Sequence, residues 1–117
     1  MDFEAKIAEL GLFIPKPAKP AGSYKPCVIV DNIAYISGQG PLLEDGSFAK
    51  GKVGADVDLE TAQNHARLCG LAILSALKNE IGSINKVDQL IKLTGFVNCI
   101  ESFTQHPLVI NGCWNMM

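Results

Sequence analysis

Residues 58–81 carry a helical repeat too one-sided to stand alone. Ala62, Ala66, Cys69, Ile73 and Leu77 recur at intervals of three and four, and Leu68, Leu71 and Ala76 widen the stripe. Asp58 is a good N-cap, and Glu60 sits in the first turn, where the helix dipole favours an acid. Asn79 and Gly82 mark the end. Such a helix draws its stability from burying its stripe, so the chain must supply a second layer for it to lie on. Gly70, in mid-helix, costs about 1 kcal/mol against alanine. Close packing on a neighbouring sheet would account for it.

The rest of the chain reads as that sheet. Cys27–Val30 is rich in strand formers, Asp31-Asn32 is a turn pair tolerant of positive φ, and Ile33–Ser37 returns, which predicts a hairpin over 27–37. Ser37-Gly38-Gln39-Gly40-Pro41 breaks the pattern, and its glycines let a ligand approach the backbone closely. Replacing Gly38 by valine is expected to damage this loop. Asp45-Gly46 signals a second turn, followed by a Gly-rich passage to Gly54. Residues 87–98 predict a further strand, with Ile91, Leu93 and Val97 alternating with Lys92, Thr94 and Asn98, and with Leu90 and Phe96 lending apolar mass to its second face. His106-Pro107 then opens a short apolar run suited to the first turn of a helix. The expected architecture is α+β: a four-stranded sheet backed by helices on one face, with one more strand expected after the last helix and missing from the 117 residues. Before it, residues 2–12 suit a short helix, and Pro15-Lys16-Pro17-Ala18-Lys19-Pro20 an extended arm. The whole reads as one domain over 1–117, with 1–22 as helix and arm.

Charge narrows the function. A net charge of −2 offers no broad nucleic-acid or anionic-membrane footprint. No stretch approaches the roughly 18 apolar residues of a membrane span. Asp2, Glu4 and Glu9 give the N-terminus the wrong sign for a secretory signal, so a cytoplasmic location is expected. Charged residues are 19%, below the roughly 25% usual for soluble domains, as when part of a surface is hidden in an oligomer. Cys27, Cys69, Cys99 and Cys113 form no C-x-x-C pair and read as reduced thiols. His65 and His106 lie far apart, without metal-ligand spacing, and His65 reads as a solvated polar-face residue. Cys99 with a distant histidine has the makings of a nucleophile–base pair, but the plainer reading is a small residue at a strand end. Gly51-Lys52-Val53-Gly54 lacks the spacing of a phosphate loop.

One segment is more specific. Gly22-Ser23-Tyr24 precedes the hairpin, thirteen positions separate Tyr24 from Ser37, and Ser37-Gly38-Gln39 is followed by Pro41. This resembles the RidA/YjgF family of reactive-intermediate deaminases, whose older label is endoribonuclease L-PSP, where G-P-Y precedes S-G-Q-x-P. Asp45-Gly46, the helix opening at Asp58, and Lys92-Leu93-Thr94-Gly95-Phe96-Val97 follow in the family's order, and residues 103–112 resemble its longer-chain branch. The resemblance implies a chorismate-mutase-like fold of the Bacillus type, a homotrimer, and a small-molecule cleft between two subunits. It implies hydrolysis of imine and enamine intermediates to 2-oxo acids and ammonia, with no cofactor or metal. It leaves open a non-catalytic metabolite-binding or chaperone-like trimer and, least in keeping with the charge, ribonuclease activity. Carried over by residue, Tyr24 lines the cleft, Ser37 is the candidate catalytic hydroxyl, Gly38 offers its backbone to the substrate, and Asn111 matches the family's helix asparagine.

The chain also departs from that pattern. The family's carboxylate-binding arginine and its acidic last strand have no counterpart here. The one arginine, Arg67, lies in the long helix, so only a lysine acting as a point charge is left to hold a carboxylate. Residues 113–117 also differ from the family's continuation. The sequence therefore reads as a truncated product or a natural short form, with weak or absent catalysis expected.

Overall fold

The computed structural model describes residues 2–12, 14–16 and 25–114. In chain order it contains helix α1 (Phe3–Glu9), strands β1 (Cys27–Val30) and β2 (Ile33–Ile36), helix α2 (Leu59–Ile81), a 3-10 turn (Ile84–Lys86) and helix α3 (His106–Trp114). The architecture is α+β.

The long helix forms for the local reasons its sequence gives. Asp58 caps it, its carboxylate accepting from the Thr61 N–H at 2.8 Å. These hydrogen bonds to Thr61 hold the Asp58 carboxyl below its usual range. Gly82 closes the other end at a φ of 89°, in the left-handed region that favours glycine. α2 then serves as the spine for two apolar clusters. In the first, Ala62 and Ala66 meet Val109 and Cys113 of α3 together with Val53 and Val57 of the preceding loop. α3 lies so close that a Cβ on Gly112 would stand 2.9 Å from the Gln63 Cα, and Gln63 Nε2 donates to the Leu108 carbonyl at 3.0 Å. In the second cluster, Ile7 of α1 packs with Leu74 and Ile84. α1 is also fastened there by polar contacts. Lys78 pairs with Glu4 at 2.6 Å, and the Glu4 N–H donates to Asn85 Oδ1 at 3.0 Å. Of the Pro-rich arm, Pro15 and Lys16 are described, and the Pro15 carbonyl accepts from Ser75 Oγ at 2.6 Å.

The hairpin forms as its residues predict. β1 and β2 pair antiparallel from Cys27↔Ile36 to Val30↔Ile33, and Asp31 takes the positive φ, 54°. The alternation puts Cys27, Ile29, Ala34 and Ile36 on one face and Val28, Val30, Ile33 and Tyr35 on the other. On the first face Cys27 is buried and Ile36 half-buried while Ile29 and Ala34 are exposed; all four residues of the second are exposed.

Two expectations about the sheet are corrected. It has two strands among the described residues, not the three that the hairpin and residues 87–98 predict. Residues 88–97 form no strand and make no backbone hydrogen bond among the described residues. The predicted alternation partly survives, with Leu93 and Val97 packed on the first cluster, but Ile91 of the same face is exposed, and on the second face Leu90 is half-buried while Phe96 is 95% exposed. The physical reason is the lack of a neighbour. A strand exists by its ladder, and the chain is first held at Val53, whose N–H donates to the Asn98 carbonyl at 2.9 Å and whose carbonyl accepts from the Ile100 N–H at 3.1 Å.

Candidate functional site

A cavity of 2030 Å³ opens between the hairpin, α2 and the unpaired segment. Its floor is the stripe that defines α2 in sequence, Ala62, Ala66, Cys69, Ile73 and Leu77. Its lip is the turn Ser37-Gly38-Gln39 leaving β2. Ser37 continues the hairpin for one bond, its N–H donating to the Pro26 carbonyl at 2.9 Å. Its hydroxyl donates to the same carbonyl at 3.3 Å, which leaves the Oγ lone pairs to accept. Gln39 Nε2 donates to the Ser37 carbonyl at 3.4 Å and braces the turn.

Gly38 departs from what its type implied. It does not take a positive φ, and a Cβ there would meet nothing within 4 Å. A Cβ at 38 would therefore stand in open space, with no positive φ to strain it. What glycine provides here is an uncovered peptide, whose N–H makes no backbone hydrogen bond among the described residues.

The polar lining is mixed. Lys50 and Lys92 reach the cavity and make no ion pair among the described residues. Asp31 and Asp88 also line it. Two cavity thiols are held neutral. Burial, with Cys113 nearby, pushes the Cys69 thiol up to about 11, and burial also raises Cys113. Neither is poised as a nucleophile. Among the described residues no group of three or more His, Cys, Asp or Glu converges as a metal site, and no helix is long and apolar enough to cross a membrane.

Of the sequence-derived candidates, Ser37 and Gly38 stand together at the lip. Asn111 is exposed on α3 and is not among the lining residues. Tyr24 lies outside the described residues. The structure adds His65, read from sequence as solvated. It is half-buried and lines the cavity. Its spacing held the signal, since it follows Ala62 by three residues and precedes Cys69 by four. Outside the cavity, Cys99 Sγ and His106 Nε2 meet at 3.3 Å.

A hairpin and helices around an open crevice, with a serine–glycine turn at its lip, define an α+β module of the chorismate-mutase-like kind. Over residues 4–117 the chain matches the family described as "YjgF/chorismate_mutase-like, putative endoribonuclease", and it belongs to that family. It is 32% identical over 113 residues to Protein TCP17 of Trypanosoma cruzi, covering 97% of this chain and 71% of that protein. Two crystal structures are also similar. The protein Atu1372 of Agrobacterium tumefaciens, of unknown function, is 40% identical with a TM-score of 0.85, over 97% of this chain and 69% of that one. A Shewanella oneidensis protein described as a "putative endoribonuclease" is 29% identical with a TM-score of 0.94, over 99% and 77%.

Proposed function

We propose that the crevice binds small imine or enamine acids and directs water onto them, as in the deaminases of this family, and that three copies of the chain assemble around such sites in the cytoplasm. The observation that carries this is the turn at the lip: Ser37, whose hydroxyl donates to the Pro26 carbonyl and keeps its lone pairs for accepting, beside the uncovered peptide of Gly38. Water adds to the C=N carbon, the C–N bond then breaks, and a 2-oxo acid and ammonia leave. Ser37 Oγ accepts a hydrogen bond from the attacking water or the imine N–H, and the Gly38 N–H offers a dipole to developing negative charge. Lys50 or Lys92 holds the carboxylate as a point charge, a looser grip than a bidentate arginine gives. Turnover is accordingly slow. The chemistry calls for no cofactor or metal.

A ribonuclease reading has support in the names of the family and of one relative. A net charge of −2 and a single arginine leave little to neutralise RNA phosphates. The assembly draws support from the exposed apolar side chains of the hairpin, where Val28, Ile29, Val30, Ile33 and Tyr35 are 41–58% exposed.

The test is ammonia release from 2-iminobutyrate by the purified chain, with 2-oxobutyrate titrated against its amide spectrum. We expect hydrolysis slow but above buffer, shifts centred on residues 37–39, and a loss of about tenfold or more in Ser37→Ala. Binding with no turnover would leave a metabolite-binding module. Neither binding nor turnover, or RNA cleavage instead, would overturn the proposal.

A further inference from the structure

A second chemical pair lies apart from the crevice. Neither Cys99 nor His106 is among its lining residues. The bracketing hydrogen bonds of Val53 to residues 98 and 100 fix the backbone at Cys99. The chain then turns back, with the Phe103 N–H donating to the Ile100 carbonyl at 3.1 Å, and His106 opens α3. The Phe103 ring stands edge-on to the imidazole, centroids 5.3 Å apart at 63°. So oriented, His106 Nε2 lies 3.3 Å from Cys99 Sγ.

Access separates this cysteine from Cys27 and Cys113 but not from Cys69, which is also half-buried; what sets Cys99 apart from Cys69 is the imidazole at its sulfur. Cys27 and Cys113 are buried, and burial raises the thiols of Cys27, Cys69 and Cys113. Cys99 is half-buried beside an exposed imidazole, so a small reagent can reach the sulfur. A thiol is reactive as its thiolate, and a neighbouring imidazole is the base that generates it.

We propose that Cys99 and His106 form a thiol-modification site that reacts with hydroperoxides. His106 Nε2 takes the thiol proton. The Cys99 sulfur attacks one peroxide oxygen, an S–O bond forms and the O–O bond breaks. The electron pair leaves on the other oxygen, which takes the proton back from His106. The thiol is oxidised to a sulfenic acid, and the hydroperoxide is reduced to an alcohol, or to water where the reagent is hydrogen peroxide. The inference stands on different residues from the crevice and does not depend on its function.

The first test needs no variant. Iodoacetamide labelling at neutral pH is followed at each cysteine by peptide mass spectrometry, in the native chain and in urea. An activated Cys99 reacts faster folded than unfolded, by about threefold or more, while the three others react more slowly folded. A Cys99 slower in the native chain than in urea overturns the proposal. His106→Gln, on an exposed position, is expected to slow native labelling of Cys99 about tenfold with the helical spectrum unchanged. A folded variant labelled at the wild-type rate overturns it too. Under limiting hydrogen peroxide, a sulfenic-acid probe should tag Cys99 before the other three, and tagging elsewhere first would count against the site.

Discussion

Gly112 shows how much of this fold rests on one missing side chain. A Cβ there would press on the Gln63 backbone, whose Cα and carbonyl carbon lie 2.9 Å away, and a backbone inside a helix has nowhere to go. Gly112→Ala is expected to destabilise by about 1–3 kcal/mol, as overpacking does. Gly38→Ala, with nothing within 4 Å and no positive φ, should stay within about 0.5 kcal/mol. Urea midpoints at unchanged slope would measure both, and equal effects would contradict this placement of α3 on α2. Residues whose role is settled by near neighbours were legible in the sequence. Asp58 caps α2, Asp31 takes the hairpin's positive φ and Gly82 ends the helix, each where its type implies. Gly38 was not, because its type announces conformational freedom and says nothing about the space around it. Cys99 and His106 were not either, since their meeting depends on the turn over 100–105.

Among elements, α2 was legible nearly to the residue, because a stripe, a cap and a glycine stop all report on one another. The segment 87–98 was not. Its alternation is real, yet alternation states what a segment can bury on each side and not which backbone lies beside it. Here α2 and α3 supply the apolar neighbour for Leu93 and Val97, while no strand supplies the ladder. His65 departs from its sequence expectation for a related reason: a polar side chain at the border of an apolar stripe faces whatever opens there, and a cavity opens there. Amide hydrogen exchange separates the two kinds of element. Amides of 88–97 should exchange at close to unstructured rates in the isolated chain, while those of 62–77 in α2 are protected. Protection of 88–97 matching that of α2 would mean that these backbone groups have found a partner, through a second copy or otherwise.

At the scale of the molecule, the proposed assembly turns on the exposed apolar side chains of the hairpin. An antiparallel sheet with one face in water normally turns polar side chains outward. This hairpin turns out Val28, Val30, Ile33 and Tyr35. Short exposed strands of that composition attract other strands unless a charge or a partner intervenes, and no lysine or acid lies on that face within β1 or β2. The patch is contiguous across two cross-strand pairs, Val28↔Tyr35 and Val30↔Ile33, so one charge at its middle should disturb all of it. Sedimentation equilibrium should give about three times the 12.5 kDa of one chain, and Val28→Lys should shift the distribution toward the single chain without loss of helical signal. The crevice is lined from both hairpin faces, by Ile29, Ala34 and Ile36 and by Ile33 and Tyr35, but Val28 is not among its lining residues. Val28→Lys therefore also asks whether assembly completes the site. Weaker 2-oxobutyrate binding in the dissociated variant would mean that a neighbouring copy contributes to the crevice. Unchanged binding would mean that the lip at Ser37 and Gly38 is sufficient alone.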